Sequence, residues 1–385
     1  MNLSYLSIEK IVSFFILLLP FIFTPFSYEQ PKFLFYIFCA IFISFLALFT
    51  ANKKGEFFIP YKDALVQSVV LYMLIVLIAN LLGVDQLRSM IGSNIRHQGF
   101  LTLLASGLCV IVLRQENKEQ REATLLFFQN KIFFAAFFLS LFSIYQATAV
   151  FFLHNISIPL YQGRIIGTFG NPNFLGGYLV MLLPFILWSK KAAKIKTLVS
   201  LMILLVVFLS FSRGAILALA VIWFFFGAEK IFLKRSIGAP VRFVSLKKWV
   251  GKSFVILSVL LILGNVGLLS IRFSSDNRLL IWQGAYEAFL RRPVLGYGQD
   301  NFQQTFRKVQ FFNVDNAHNI FLEVAISSGI IGLIIFIYIL AKSLFHAKLP
   351  IKVALIAFLI VAQFNPLSIA QIALFWFLLA LIEWG

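Results

Sequence analysis

Charged residues are scarce in this chain, and their scarcity excludes a soluble fold. Only 12% of the 385 residues are charged, whereas 61% are hydrophobic. A soluble domain of this length cannot bury so much apolar surface, so the composition indicates an integral membrane protein. The net charge of +18 would suit nucleic acid, but the basic residues lie in short blocks between apolar segments. That spacing is typical of membrane topology, so we expect no nucleic-acid partner.

Residues that form disulfides and metal sites are also few. The two cysteines, Cys39 and Cys109, lie inside apolar segments and show no disulfide or metal spacing. The histidines fall in separate loops, and the carboxylates of the predicted outer loops include no Asp-x-Asp pair. A divalent ion that holds a pyrophosphate usually needs one or two carboxylates close together. The sequence therefore predicts neither a metal nor a cofactor.

Two further patterns are missing. The first apolar segment, Ile11 to Phe26, has no small-residue cleavage site and is followed at once by further spans, so we expect a retained helix rather than a signal peptide. The chain also shows no obvious repeat and no matching pair of Gly/Pro-broken spans, a pattern found in transporters built from inverted repeats.

Long apolar segments dominate what is present, and they predict an all-α polytopic membrane protein forming one integral membrane domain over 1–385. About twelve segments are long enough to cross a bilayer. Two pairs, 196–211 with 214–227 and 350–364 with 367–384, are predicted helical hairpins with tight turns. The predicted spans are 11–27, 32–50, 64–82, 98–113, 131–153, 173–188, 196–211, 214–227, 252–271, 318–340, 350–364 and 367–384.

The loops between these spans predict the orientation. With the N-terminus inside, 22 of the 33 lysines and arginines fall in cytoplasmic segments, which favours both termini in the cytoplasm. The stretch 228–251 is then a basic cytoplasmic linker. The stretch 272–317, between spans nine and ten, is one large outer loop with an amphipathic helical part from Leu279 to Leu290.

The outer charges differ in kind from the inner ones. Nine of the 11 outer basic residues are arginines, whereas 18 of the 22 inner ones are lysines. The positive-inside rule alone accounts for the lysines on the inner side. Arginines outside favour recognition of phosphate or carboxylate, because the guanidinium grips two oxygens at once. For any single arginine, the alternative of anchoring a loop to lipid headgroups stays open.

The large outer loop runs directly into His318-Asn319, at the start of a span. An imidazole beside fixed cations suits proton transfer next to a phosphate, although His318 could instead be a helix cap or an interfacial residue. Glu323 lies about one turn inside the span, on the same helix face as Asn319. It either orients a neighbouring base or arginine, or serves as a buried structural partner. Deeper in the span, Gly329 and Gly332 are expected to allow close helix packing.

Three outer arginines stand in distinctive settings. Arg164 precedes a turn-rich segment that ends in Asn-Pro-Asn, which can cap the next helix. Arg213 lies at the tight turn of a predicted hairpin, and Arg278 lies early in the large outer loop, before its amphipathic part. These arginines and His318 are the candidate site residues.

Five short motifs in this order resemble those of the O-antigen ligase family, which shares its core with O-antigen polymerases and some protein O-oligosaccharyltransferases. Each motif alone is weak, but five in register are specific. Together they cover roughly 160–335, and the first half of the chain matches only in hydropathy. They are Gly-Thr-Phe-x-Asn-Pro-Asn at Gly167–Asn173, Ser-Arg-Gly at Ser212–Gly214, Arg-x3-Trp at Arg278–Trp282, Pro-x-x-Gly-x-Gly at Pro293–Gly298, and His-Asn-x9-Gly-x-x-Gly at His318–Gly332.

The resemblance implies a glycosyltransferase-C-like fold in the bacterial inner membrane, with the active site at the periplasmic face. The donor would be a glycan on a polyprenyl (undecaprenyl) diphosphate, and the acceptor a sugar hydroxyl, for ligases on the lipid A core. By analogy His318 deprotonates the acceptor. Arg213 and Arg278, with Arg164 as a further candidate, would bind the diphosphate, and the reaction would invert the anomeric centre without metal.

Several alternatives stay open at this stage. Polymerases and protein O-oligosaccharyltransferases of the same family share these motifs and differ chiefly in the acceptor. A transporter of lipid-linked glycans would use outer arginines to bind phosphate without chemistry, but it should carry polar residues along several spans. A metal-dependent oligosaccharyltransferase should carry an acidic pair in the first outer loop, where only Glu29 is found. The glycan, the acceptor and the oligomeric state are not determined by the sequence.

Overall fold

The structure is a computed structural model with side chains. It describes residues 8–54, 60–115, 117–154, 158–237, 278–306 and 314–384. Within these ranges the regular structure is helical, and the one extended feature is an isolated bridge between Tyr161 and Arg164. The predicted all-α class is confirmed.

The helices follow the predicted apolar segments closely. Each of the predicted spans within the described ranges contains a helix, whereas the span 252–271 lies outside them. The helices are α1 Ile8–Leu18 with a 3-10 turn at Leu19–Phe21, α2 Glu29–Lys54, α3 Ala64–Leu81, α4 Gln86–Ile91, α5 Phe100–Arg114, α6 Lys118–Phe151, α7 Pro172–Leu187, α8 Ala193–Leu209, α9 Arg213–Ile237, α10 Arg278–Arg291, α11 Phe302–Phe306, α12 Ile320–His346, α13 Leu349–Ala362 and α14 Ile369–Ala380.

Helix length separates these elements into two groups. Among the described residues, four helices are long and apolar enough to cross a membrane by length and composition, namely Glu29–Phe49 of α2, then α3, α6 and α12. Shorter apolar helices cover Lys10–Phe21, Phe100–Arg114, Pro172–Leu187, Arg213–Gly227, Leu349–Ala362 and Ile369–Ala380. The protein is thus a polytopic membrane protein, and the total of twelve spans stays a prediction.

Two helices extend beyond the predicted spans. α6 begins at Lys118 rather than near 131, because Asn117 and Gln120 form a capping box and Arg121 is buried in an ion pair with Glu383. α9 continues to Ile237, so the first part of the predicted linker 228–251 is helical. The rest of that linker lies outside the described residues.

The predicted hairpins form their turns, but their helices pack mainly on other partners. α9 packs chiefly against α13 and α7, and α8 packs against α6 and α7. Glycines explain this arrangement: a Cβ at Gly176 would lie 3.0 Å from the Ala215 Cβ, and one at Gly177 would lie 2.8 Å from the Val361 Cγ1. These small residues let α7 approach α9 and α13 closely. α7 is therefore a central helix, buried on all sides from Phe174 onward.

Loop contacts divide the bundle into two ends. At one end Arg114 Nε donates to Asp63 Oδ2 at 2.8 Å and Lys348 Nζ to Glu122 Oε1 at 2.7 Å. The other end, which we call the His318 end, gathers the loops that the charge count predicts to be outside. It is formed by the described parts of 22–28, 82–99, 152–171, 210–212, 278–319 and 363–368. The alternation of loops predicted from the sequence is consistent with this division.

Candidate functional site

His318 occupies a constrained position directly before α12. Its φ angle is +54°, and its backbone N–H donates to Asn316 Oδ1 at 2.8 Å. The helix cap is the next residue, Asn319, whose Oδ1 accepts from the backbone N–H groups of Phe321 and Leu322. The imidazole of His318 is therefore not the cap, which removes one structural explanation for this histidine.

Two side chains fix the backbone on the N-terminal side of His318. Glu323 Oε2 accepts from the Ala317 N–H at 2.8 Å, and Trp282 Nε1 donates to the Ala317 carbonyl at 3.1 Å. Both peptide groups beside Ala317 are thus held, one from α12 and one from α10. Glu323 therefore stabilises the backbone of the turn that carries His318.

A third contact brings a negative charge close to this turn. Arg96 NH2 lies 2.8 Å from Asp315 Oδ2 and 2.9 Å from Asp315 Oδ1. Burial alone would raise the pKa of Asp315, but Arg96 and, more weakly, His318 lower it below its usual range. Asp315 is therefore ionised at neutral pH, three residues before the imidazole.

Asn319 connects the His318 turn to the α13–α14 loop. Its Nδ2 donates to Gln363 Oε1 at 2.9 Å. Two residues later, Asn365 packs on the start of α9, where a Cβ at Gly214 would lie 2.7 Å from Asn365 Nδ2. The residues next to His318 and Arg213 therefore both contact the α13–α14 loop.

Arg213 is the first residue of α9 and is half-buried. The turn before it places Phe211 at a φ of +48°, and the Ser212 N–H donates to Ser210 Oγ at 3.3 Å. Such a turn sets the depth and direction at which Arg213 leaves the backbone. The helix N-terminus there also favours bound anions.

Arg164 is engaged with the protein. Its Nε donates to the Ser210 carbonyl at 2.8 Å and its NH2 to Asn173 Oδ1 at 2.8 Å. The guanidinium therefore joins the Asn-Pro-Asn start of α7 to the turn before Arg213. This is a positioning contact, and direct binding of substrate by Arg164 stays a prediction.

Arg278 is the first residue of α10, one turn before Trp282. Because residues four apart share a helix face, Arg278 lies on the same side of α10 as the indole that holds Ala317. The two predicted arginines therefore begin different helices, α9 and α10, and α10 contacts the His318 turn through Trp282. Arg272 and Arg307 lie outside the described residues.

The Pro293–Gly298 motif joins a break in α12. Gly329 has φ +67° and ψ −169°, so the helix ladder is interrupted there. The loop fills the gap: the Ile330 N–H donates to the Pro293 carbonyl at 2.7 Å, and the Tyr297 N–H donates to the Ile326 carbonyl at 2.8 Å. The prediction that Gly329 serves helix–helix packing was wrong, because its conformation and its contact with the loop require glycine.

This break gives a first prediction, for stability. A Cβ at Gly329 would lie 2.0 Å from the Val294 carbonyl oxygen, and its φ is one that other residues rarely adopt. We expect Gly329→Ala to reduce the free energy of unfolding by at least about 1–3 kcal/mol, seen as a lower melting temperature in detergent. Gly227→Ala is the control, because a Cβ at Gly227 would meet only open space among the described residues. An unchanged melting temperature for Gly329→Ala would mean that α12 can run straight through this position.

A cavity lined by both apolar and polar side chains lies next to the His318 turn. Its volume is about 130 Å³, room for several water molecules. Asn316 and Glu323, which fix the turn, both line it, together with Asn365 from the loop against Gly214. Aromatic side chains of α3, α12, α13 and α14 line it as well: Tyr72, Phe336, Phe358, Phe375 and Trp376.

The sequence did not reveal the ion pairs that hold the His318 end together. Lys32 is fully buried, and its Nζ donates to the Tyr28 carbonyl at 2.7 Å and the Thr168 carbonyl at 3.0 Å. Glu29 lies 3.5 Å from Lys32 and accepts from the Ile369 N–H at 2.8 Å. The one clue was the short spacing of Glu29 and Lys32 on one helix, three residues apart.

Asp300 is a second buried charged residue at this end whose contacts the sequence did not reveal. It is 5% exposed, and Oδ2 accepts from the Ser93 N–H at 2.5 Å, while the Arg88 Nε donates to the Asp300 carbonyl at 2.7 Å. Burial raises the pKa of Asp300 above its usual range, against the opposing effect of the Ser93 hydrogen bonds. Through these hydrogen bonds, Asp300 connects the large loop to α4 and to the α4–α5 connection. No local pattern links residues more than 200 positions apart.

Metal ligands are not clustered in the part of the chain described here. Among these residues, no group of three or more His, Cys, Asp or Glu side chains could hold a metal ion. Glu29, the one carboxylate of the first outer loop, is bound to Lys32 and to the backbone of α14.

Comparison with known proteins bears on the region just described. The profile of a family described as O-antigen ligase matches residues 197–337. This region contains Arg213, Arg278 and His318, while Arg164 precedes it. A comparison with curated proteins gave no match. The match confirms, over residues 197–337, the resemblance to the O-antigen ligase family that the motifs indicate.

Proposed function

We propose that this protein is a membrane glycosyltransferase that moves a glycan from a polyprenyl diphosphate to a sugar hydroxyl, in the manner of an O-antigen ligase acting on lipid A core. One observation carries this proposal. The residues beside His318 and Arg213 contact the same loop, since Asn319 donates to Gln363 and Asn365 lies against Gly214, and α10 donates to the Ala317 carbonyl through Trp282. An imidazole and arginines grouped at one end of a membrane bundle suit attack on a diphosphate-linked sugar.

In the proposed reaction, His318 is the general base. It accepts the proton of the acceptor hydroxyl as that oxygen attacks the anomeric carbon. The bond between this carbon and the diphosphate oxygen breaks, and its electron pair leaves with the diphosphate. Attack from the face opposite the leaving group inverts the anomeric centre. The ionised Asp315 stabilises the imidazolium formed, much as a carboxylate does beside a catalytic histidine.

The arginines have a separate proposed role. Arg213 and Arg278 bind the diphosphate and neutralise the charge that develops as it leaves, because their planar forks match phosphate oxygens. Arg164 contributes by fixing the turn before Arg213, and Asn319 and Glu323 fix the turn of His318. With arginines supplying the positive charge, the reaction is expected to need no metal.

The proposal is tested with purified protein in liposomes, a lipid-linked glycan and an acceptor. We expect transfer to continue in the presence of EDTA, because the arginines already neutralise the leaving group. Mass analysis of the product identifies the acceptor: lipid A core for a ligase, a second lipid-linked glycan for a polymerase, and a protein hydroxyl for an O-oligosaccharyltransferase. Transfer abolished by EDTA and restored by Mg²⁺ or Mn²⁺ would favour a metal-dependent enzyme.

The proposed location is the bacterial inner membrane, with the His318 end at the periplasmic face and both termini in the cytoplasm. The motive is the excess of lysine and arginine in the loops at the opposite end. A reporter active only in the periplasm, fused after residue 300, should be active, and the same reporter fused after residue 191 should be silent. The reverse pattern would place the site in the cytoplasm and overturn the proposed location.

A further inference from the structure

We propose that the cavity beside the His318 turn is a binding subsite for one neutral pyranose ring of the transferred or receiving glycan. This inference rests on the proposed function and adds to it a site for the sugar, distinct from the arginines that would bind the diphosphate. It is drawn from three properties of the cavity: its open polar atoms, its aromatic side chains and the lack of lysine and arginine among its described lining residues.

Several polar atoms of the wall have no hydrogen-bond partner among the described residues. Glu323 bonds through Oε2 alone, which leaves Oε1 open, and Asn316 uses Oδ1 for the His318 N–H, which leaves Nδ2 open. Asn365 and Gln98 each donate through their amide nitrogen and keep the amide oxygen open. Ser327 adds a hydroxyl with no partner among these residues. The wall thus offers both donors and acceptors.

Aromatic side chains also line the cavity. The ring centroids of Tyr72 and Trp376 lie 6.3 Å apart with the ring planes at 30°, and the centroid of Phe336 lies 5.9 Å from that of Tyr72. A pyranose ring has hydroxyls around its edge and apolar C–H groups on its faces. A cavity lined by both polar groups and aromatic rings complements both parts of such a ring.

The side chains of the wall argue against other occupants. The described lining residues include no lysine or arginine. A diphosphate would therefore find no cationic partner among them, and a buried charge without a partner is costly. A polyprenyl chain would leave the open amide and carboxyl atoms without partners, which is also costly. A neutral polyol satisfies these atoms without adding charge.

The location fits a sugar bound next to the reacting groups. Asn316 and Glu323 line the cavity and also hydrogen-bond to the His318 turn, and Asn365 lines the cavity and lies against Gly214. A ring in the cavity would therefore lie between the elements that present His318 and Arg213. Either the donor sugar or the acceptor sugar has this chemistry.

The test fills the cavity by substitutions on two different helices. Ser327→Leu adds bulk from α12, and Val76→Phe adds bulk from α3. Ser68→Leu, the same type of change at a residue of α3 that does not line the cavity, is the matched control. Binding is measured to purified, folded protein in nanodiscs with three probes: a polyprenyl diphosphate glycan, the same carrier lipid without glycan, and a lipid A core acceptor.

We expect both cavity variants to weaken binding of one glycan probe on the order of tenfold, while the bare carrier lipid binds as before. Loss on the glycan-bearing carrier assigns the cavity to the donor sugar, and loss on the acceptor assigns it to the acceptor sugar; either outcome supports the proposal. Unchanged binding of all probes to the two folded variants overturns it.

The result also separates this proposal from the proposed function. If the wild-type protein transfers glycan and the cavity variants keep wild-type binding and turnover, the subsite is wrong and the enzyme proposal stands. If the wild-type protein transfers nothing, the proposed function fails. The subsite then survives only if the glycan-bearing carrier binds more tightly than the bare carrier and the cavity variants abolish that difference.

Discussion

His318→Ala should lower the rate of glycan transfer by a factor on the order of 10²–10⁴ per folded molecule, while the lipid-linked donor still binds. The reason is that general-base catalysis acts on the acceptor hydroxyl and leaves the contacts to the diphosphate in place. The imidazole follows an Asn316 turn and precedes the Asn319 cap, so its removal leaves the hydrogen bonds of both intact. The measurement is turnover with saturating donor and acceptor, corrected for folded protein.

His154→Ala is the matched control for this result. His154 lies in another loop of the His318 end, is exposed and also has a positive φ, of +52°. It should keep wild-type turnover, since no predicted site residue depends on it. Near-normal turnover of folded His318→Ala would reject the general-base assignment and favour the transporter of lipid-linked glycans. A protein that is merely unstable would show reduced yield with normal turnover in the surviving fraction.

Arg213→Lys and Arg278→Lys should each weaken binding of the polyprenyl diphosphate, despite keeping the charge. A lysine ammonium is a point charge and cannot form the paired hydrogen bonds of a guanidinium. Loss of one charge-assisted hydrogen bond is worth about 1.5–3 kcal/mol, so the affinity should fall roughly 10- to 100-fold. Turnover should fall as well, because the same contacts neutralise the leaving diphosphate.

Arg291→Lys is the control for the arginine variants. Arg291 is an exposed residue in the last turn of α10, the same helix that Arg278 begins. Its replacement tests whether any arginine of this region matters for lipid binding in general. Equal losses in Arg291→Lys and Arg278→Lys would indicate headgroup anchoring rather than a diphosphate site. A comparison of diphosphate with monophosphate carriers sharpens the result, because only a two-phosphate site discriminates between them.

The helices could be predicted from hydropathy because each apolar segment is bounded by polar turn residues. The segments near 64–82 and 173–188 match α3 and α7 within a few residues. Their depth in the bundle could not be predicted. α7 and α3 are both mainly apolar, yet α7 is buried on all sides and α3 has an exposed side. The difference arises because Gly176 and Gly177 allow neighbouring helices to pack closely on α7.

The sequence indicated the candidate residues of the site but not the contacts that position them, because those contacts join residues far apart in the chain. His318, Arg213 and Arg278 stand in short motifs, which a single sequence can reveal. The contacts that place them cannot be read in this way: Asn319 reaches Gln363, and Arg96 reaches Asp315 across more than 200 residues. Glu323 was left between an orienting and a structural role, and its bond to the Ala317 N–H shows that it fixes the backbone of the turn.

The break at Gly329 has a consequence for exchanging parts between related enzymes. The Pro293–Gly298 segment supplies hydrogen bonds that α12 no longer makes for itself, and α12 in turn supplies partners for the loop. A chimaera that imports only the large loop would leave backbone groups of a membrane helix without partners, at a cost of several kcal/mol for each group. The segment Pro293–Gly298 and the part of α12 around Gly329 therefore depend on each other, and an exchange between related proteins should carry both.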